Sequence, residues 1–285
     1  MLAAWVALFD MWPGRKSPCL SGRHWPAVAS ELEASGQKGA AYALRSRGLW
    51  EAAALLDDER LLSEAGKVIS QRAQAGWSPI TPFEKMPPRL VAVLSSSCPP
   101  LFWAKGELDG LERKAAGIVG GRHLSCEEAK FASAAGALCA ELGLSVFSGG
   151  AQGADSFGAA GARLAGGFAA HFHPGGKRRA EETILCRAID APYFDRIEAL
   201  ARNKWIYAAA DSVLIVSSRF NEGGSWAGAI AAKRARLSDV IVFMAKTPSS
   251  GNQALALLGA KRVSNIEELR SALAKPREES LRFAI

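Results

Sequence analysis

The sequence predicts an α/β protein in which a doubly wound parallel sheet, over about residues 116–274, follows a small helical N-terminal domain. Three observations carry that prediction. Short apolar runs near 117–120, 144–147, 168–172, 212–216 and 240–244 end on Gly or polar residues and alternate with helix-length segments, the pattern of βαβ units and a parallel sheet. Upstream, Val28, Leu32, Leu44, Leu49, Ala53, Leu56, Leu61 and Leu62 recur at helical spacing, so that region reads as helices alone. Between the two, Pro79, Pro82, Pro87, Pro88, Pro99 and Pro100 break the chain into short apolar pieces, as a turn-rich connection would.

Taken in order, residues 1–9 are apolar, but no basic residue precedes them and Asp10 interrupts them, so they do not read as a signal peptide. No stretch approaches the roughly 20 apolar residues of a membrane span. A reducing cytoplasm is the expected location. Residues 1–75 form the helical domain, and 76–115 a Pro-rich lead-in expected to pack on the next domain. Within the sheet domain, Ser125 with Glu128 and Ser264 with Glu267 are spaced as capping boxes at helix starts. Gly143 follows the first of these helices where a left-handed cap is expected. The charged tail 275–285 is expected to be loosely held.

Composition narrows the function classes. The 285 residues, 49% hydrophobic and 22% charged, exclude a disordered chain, and a formal net charge of +7 favours a polyanionic partner. The five cysteines, Cys19, Cys98, Cys126, Cys139 and Cys186, are scattered and imply neither a disulfide framework nor a zinc site. No cofactor, metal or catalytic residue is expected.

The candidate functional residues lie on loops that a doubly wound sheet gathers at the carboxyl ends of its strands. These loops are Gly120-Gly121-Arg122, Ser148-Gly149-Gly150-Ala151-Gln152-Gly153, His173-Pro174-Gly175-Gly176 and Glu222-Gly223-Gly224-Ser225. Glycine lets backbone N–H groups approach a phosphate, and a helix N-terminus behind each loop favours an anion. None matches the full dinucleotide fingerprint or the P-loop. Arg122, the run Lys177, Arg178, Arg179, and Arg202-Asn203-Lys204 accompany these loops and supply cations suited to phosphate. Asp155 is suited to capping free amides and shaping its loop. His171 and His173 read as core or loop histidines. Trp205, Tyr207 and Trp226 adjoin the loops, where bases could stack on them, although aromatics beside apolar strands more often serve the core.

At these residues the sequence resembles the DNA-processing protein A (Smf) family. The resemblance covers about residues 76–260. Its parts are Pro100-Leu101-Phe102 with Lys105-Gly106, Val119 to Arg122, the Ser148 to Asp155 run, Arg202-Asn203-Lys204, Gly224-Ser225, and Gly251-Asn252 leading to Leu258-Gly259-Ala260. The helical region resembles the family's small leading domain, of sterile-alpha-motif or helix-hairpin-helix kind, in type only. The resemblance implies a Rossmann-like fold that binds single-stranded DNA and hands it to a RecA-type recombinase during natural transformation or recombination, and it leaves room for a homodimer. It implies a DNA site made of Gly120, Gly121, Arg122, Ser148, Gly149, Gly150, Gln152, Gly153, Asp155, Arg202, Asn203, Lys204, Gly223, Gly224 and Ser225. Departures are present: Gly158-Ala159 where the family has Ala-His, Lys204 for Arg, Gly228 for Thr, no Tyr-Pro element after the third strand, and no winged-helix segment after the sheet domain.

Two other readings stand beside this one. Pro174-Gly175-Gly176 and Glu182 echo the motif of lysine-decarboxylase-like phosphoribohydrolases, which cleave nucleoside monophosphates, but Arg178 and Arg179 occupy its Gly and Thr positions. A nucleotide sensor without turnover would use the same crevice.

Overall fold

The computed structural model describes residues 1–10, 24–173, 183–187, 189 and 196–274. The basic run at 177–179, Pro174, Gly175, Gly176, Glu182 and the tail 275–285 lie outside the described residues. The chain divides into two compact units, residues 1–86 with 94–106, and residues 87–93 with 107–285. The Pro-rich stretch 76–115 is therefore shared between them.

The first unit holds α1 (Leu2–Phe9), α2 (Trp25–Ser46), α3 (Trp50–Asp57), α4 (Glu59–Gln74), β1 (Trp77–Ile80) and β2 (Phe102–Lys105). Helix α1 buries every residue from Ala4 to Phe9, so the apolar run at the start of the sequence is core. Its Trp5 indole N–H donates to the carbonyl of Pro100 at 2.8 Å, which satisfies the one polar atom that the buried ring carries. Asp58 caps α4 by accepting from the Leu61 amide at 3.1 Å. Strands β1 and β2 pair antiparallel, with Trp77 opposite Lys105 and Ile80 opposite Phe102. Pro79, which has no N–H to give a ladder, hides β1 from a sequence reading.

The second unit contains α5 (Pro88–Leu94), β3 (Ala115–Val119), α6 (Cys126–Glu141), β4 (Ser145–Ser148), α7 (Ala154–Leu164), β5 (Ala169–Phe172), β6 (Thr183–Cys186), α8 (Arg196–Ala209), β7 (Ser212–Ile215), α9 (Gly223–Arg234), β8 (Asp239–Phe243), α10 (Ser250–Leu257), β9 (Lys261–Val263) and α11 (Ile266–Ala274). Its seven strands run in the order β6-β5-β4-β3-β7-β8-β9 and every pair is parallel. The doubly wound sheet is the expected one. The expected strands match β3, β4, β5, β7 and β8, while β6 and β9 are additions. With two of its three residues charged and exposed, β9 carries no hydrophobic run to detect. The central strands β4, β5 and β7 are buried along their length, as helices on both faces require. The order reverses between β3 and β7, so their carboxyl ends diverge into loops on opposite sides and leave a crevice between them.

Helix α6 begins at the expected capping box: Ser125 Oγ accepts from the Glu128 amide at 3.2 Å and Glu128 accepts from the Ser125 amide at 2.8 Å. The second box is displaced by one residue. Asn265 Oδ1 accepts from the Glu268 amide at 2.9 Å, and Glu268, not Glu267, reaches back to the Ser264 amide at 2.7 Å. Asn caps at least as well as Ser, and that choice sets the register. Helices α6 and α7 cross closely because Gly136 and Gly161 lack side chains; a Cβ on either would collide with backbone of the other helix.

One buried side chain ties the sheet to α10. Asn252, at 0% exposure, donates from Nδ2 to the carbonyls of Ile215, Val216 and Phe243 at 3.0, 3.1 and 2.9 Å. Its Oδ1 accepts from Ser218 Oγ at 2.7 Å. The ends of β7 and β8 and the β7–α9 loop thus meet at a single amide. Asn252→Ala leaves those buried partners unsatisfied and is expected to destabilise the protein by about 2–4 kcal/mol. A denaturant midpoint within error of wild type would contradict this account.

Candidate functional site

A crevice of about 1440 Å³ opens at the switch point, lined by the loops after β3, β4 and β7 and by α8 and α9. Of the residues expected there, Gly120, Gly121, Arg122, Gly149, Gly150, Gln152, Asp155, Arg202, Asn203, Gly223, Gly224 and Ser225 line it, and Ser148, Gly153 and Lys204 do not.

The floor is built around the Gly149 peptide. Its N–H donates to Asp155 Oδ2 at 2.8 Å, and its carbonyl accepts from Arg202 Nη1. The same Nη1 reaches the Phe172 carbonyl at 3.0 Å, at the end of β5. A Cβ at Gly149 would collide with the Arg202 guanidinium. Glycine is needed here to let arginine in. Asp155 also accepts from Ala151 N–H at 3.3 Å. Burial pushes the Asp155 carboxyl up to about 6, against the opposing pull of Arg202 and of the Gly149, Ala151 and Gly120 amides. Burial lowers the Arg202 pKa, with Asp155 opposing and Arg122 reinforcing the shift. The guanidinium stays charged.

The rest of this loop is equally self-contained. Gly150 N–H donates to Ser148 Oγ at 3.3 Å and Gly153 N–H to Ser156 Oγ at 3.1 Å. Ser148 Oγ in turn lies 2.6 Å from His171 Nδ1. Burial holds the His171 imidazole down to about 3, with the charges of Arg163, His173 and Arg202 adding to the effect, so it is neutral. Gly153, at φ 93°, starts α7 where a Cβ would strike the carbonyls of Gly121 and Arg122. The amides of Gly149, Gly150, Ala151 and Gly153, expected to cradle phosphate, are instead spent on the loop's own side chains. The local sequence Ser148, Asp155, Ser156 supplies acceptors that a distant ligand would have to displace.

The wall at α9 differs. Glu222 occupies the N-cap position but makes no side-chain capping bond, so the first turn of α9, with Gly223, Gly224 and Ser225 on the crevice, keeps its donors for an anion. Asn203 Nδ2 donates to the Gly224 carbonyl at 3.1 Å and Ser225 Oγ to the Gly120 carbonyl at 3.0 Å, fixing that turn against α8 and the β3 loop. Adjacent residues of α8 therefore brace two walls: Arg202 holds the β4 loop and Asn203 holds α9. Lys204 is exposed and off the crevice.

The cations facing the opening without a hydrogen bond or ion pair to the described residues are the exposed Arg122 and Arg234, beside Arg219, which has Glu222 as partner. Sequence reading missed Arg234. Its signal is the i, i+3, i+4, i+7 face Ala227, Ile230, Ala231, Arg234 that α9 turns to the crevice. It also missed the stretch Ser217 to Asn221, where Arg219 pairs with Glu222 at 3.0 Å. Trp205, Tyr207 and Trp226 are 6%, 2% and 8% exposed and belong to the core, the more usual of the two roles their position allows. No cluster of three His, Cys, Asp or Glu among the described residues is placed to hold a metal, and no described helix is long and apolar enough to cross a membrane.

A family model described as DNA recombination-mediator protein A matches residues 79–274. The chain belongs to that family. The match takes in the whole crevice. Among solved structures, the chain is similar to DNA processing protein A of Streptococcus pneumoniae, at 17% identity and a TM-score of 0.65 over 90% of this chain and 94% of that one. It is also similar to DNA processing protein A of Helicobacter pylori, whose structure concerns its single-stranded DNA binding mode, at 20% identity and a TM-score of 0.60 over 69% of this chain and 95% of that one. No curated protein matches the sequence. At these identities the likeness establishes the fold, which this family member shares from the first unit onward.

The Asp155 environment makes a pH prediction. Its folded pKa near 6 lies above the roughly 3.9 of an unfolded aspartate, so its contribution to stability is fully present below pH 4 and is lost as pH rises through 6. Asp155→Asn keeps an acceptor for the Gly149 amide and removes the titration. Relative to this variant, wild type is expected to lose up to about 3 kcal/mol between pH 4 and 7. Urea midpoints at the two pH values measure it, and parallel behaviour of the two proteins would refute the assignment.

Proposed function

We propose that the crevice binds the sugar-phosphate backbone of single-stranded DNA and does no covalent chemistry on it. The observation that carries this reading is the uncapped first turn of α9 on the same crevice as the exposed Arg122 and Arg234. Backbone donors at a helix N-terminus suit one phosphate, and a guanidinium at the far end of the same helix suits another along the strand. At about 1440 Å³ the crevice exceeds the usual range of roughly 300–1,000 Å³ for small-molecule pockets, which suits a polymer that passes through. Its two carboxylates already have partners, Asp155 the loop amides and Glu222 the Arg219 side chain, an arrangement in keeping with binding. Family membership and the subject of the Helicobacter pylori structure support the same ligand. In this reading the protein acts in the cytoplasm and delivers the bound strand to a RecA-type recombinase in DNA uptake or recombination, as the family's description as a recombination mediator suggests.

Phosphate contacts carry no base information, so affinity should depend weakly on sequence and strongly on salt. Arg122→Ala with Arg234→Ala is expected to weaken binding to single strands of any sequence alike. It should flatten the logarithmic salt slope by roughly 0.7 for each phosphate no longer neutralised and leave the thermal midpoint unchanged, because both side chains are exposed. Fluorescence anisotropy across a salt series measures this. Wild type without salt-dependent binding, or a double variant with an unaltered slope, would overturn the site. Incubation with nucleoside monophosphates is expected to release no free base; turnover would restore the phosphoribohydrolase reading.

A further inference from the structure

The crevice as described holds phosphate and nothing in it reads a base. The rings of Trp205, Tyr207 and Trp226 are buried, yet one ring at its rim is not. Phe220, in the loop between β7 and α9, is 61% exposed, and its neighbours Arg219 and Asn221 both line the crevice. Water exposure of so much apolar ring is unfavourable, so the loop would be expected to fold it away if it were free to do so. The loop is not free. The Phe220 amide donates to Ser250 Oγ and the Ser218 amide to Ser249 Oγ, each at 3.1 Å, while Gly251 N–H donates to the Ser218 carbonyl at 2.9 Å. Arg219 and Glu222 close the tip by a backbone bridge and an ion pair, with Asn221 at φ 55°. Beneath the ring, Trp226 of α9 packs edge-to-face at 5.1 Å between centroids and 68° between planes. That packing leaves Phe220 a platform, supported on one side by a buried indole and held in place by backbone bonds to the start of α10.

We infer that Phe220 stacks an unpaired nucleobase of a strand whose phosphate lies in the crevice, so that the site selects single-stranded over duplex DNA. This rests on the DNA-binding reading above and deepens it. A base projects from its backbone by a few ångströms and every base has a π-face, so a ring next to a phosphate cradle meets bases without regard to sequence. In a duplex the same faces are covered by neighbouring pairs and the ring has nothing to stack on. Phe220 thus supplies the strand preference that the phosphate contacts alone cannot.

The test is anisotropy with the full chain on a labelled mixed-sequence single strand, the same strand carrying abasic sites, and the duplex. Wild type is compared with Phe220→Ala, Phe220→Leu and Phe220→Trp. Loss of one stacked base corresponds to about a tenfold rise in Kd, expected for the Ala and Leu variants on the intact strand, while Trp restores affinity. The salt slope stays the same, since every cation that meets a phosphate is still in place, and duplex binding is unaffected. The abasic strand is expected to bind wild type and Phe220→Ala equally. Equal affinity of wild type and Phe220→Ala for the intact strand, or of wild type for intact and abasic strands, overturns the inference while leaving salt-dependent DNA binding in place. Retention of affinity by Phe220→Leu does the same by showing that any apolar group suffices. Wild type with no salt-dependent binding to any strand sinks both readings together.

Discussion

The crevice depends on one peptide group held between opposite charges. Gly149 gives its amide to Asp155 and its carbonyl to Arg202, and both side chains are largely withdrawn from water. Withdrawing either charge alone would be costly. Together, with the Ala151 amide and the Phe172 carbonyl completing their hydrogen bonds, they fix the ends of β4 and β5 relative to α8. The neighbouring Asn203 extends the same helix's grip to α9. A segment legible as a phosphate-binding basic triplet is therefore divided in its work: two residues shape the walls and only Lys204 faces solvent.

This division separates amides that build the site from amides that can serve a ligand. Glycine-rich loops after strands invite a single interpretation, that their N–H groups meet phosphate. Here the β4 loop's own side chains consume its donors, whereas at the start of α9 Glu222 pairs with Arg219 and Ser225 bonds the Gly120 carbonyl, so the turn keeps its donors. Both segments carry paired glycines. What distinguishes them is whether a nearby Ser or Asp turns back onto the loop's own amides or bonds elsewhere, a property of hydrogen bonding and not of glycine content.

The departures from the family pattern also acquire reasons. A Cβ at Gly158 would meet the side chain of Ile118 on β3 closer than packing allows, so glycine there accompanies the close crossing of α6 and α7 over the sheet. A larger residue at Gly228 would press on the Tyr207 ring, which is buried against it. Lys204 lies off the crevice, so exchanging it for arginine leaves the floor untouched.

How much was legible follows from what each kind of signal can report. Period and punctuation determined the parallel sheet, the crossover helices, the Ser125 cap and the gathering of glycine loops at one edge, because each is set within a few residues of chain. The strands β1 and β9 escaped because a proline and two exposed charges erase the apolar run that marks a strand. Membership in the mediator family was likewise visible in the order and spacing of short motifs. Only the tertiary structure decided that Arg202 supports the floor, that Arg234 faces the opening, and that Phe220 stays in water while Trp205, Tyr207 and Trp226 do not. The placements of Phe220 and Arg202 depend on partners 30 and 53 residues distant in sequence, Ser250 and Gly149. Which of two similar side chains is buried depends on what packs against it from elsewhere in the chain, and no local pattern encodes that.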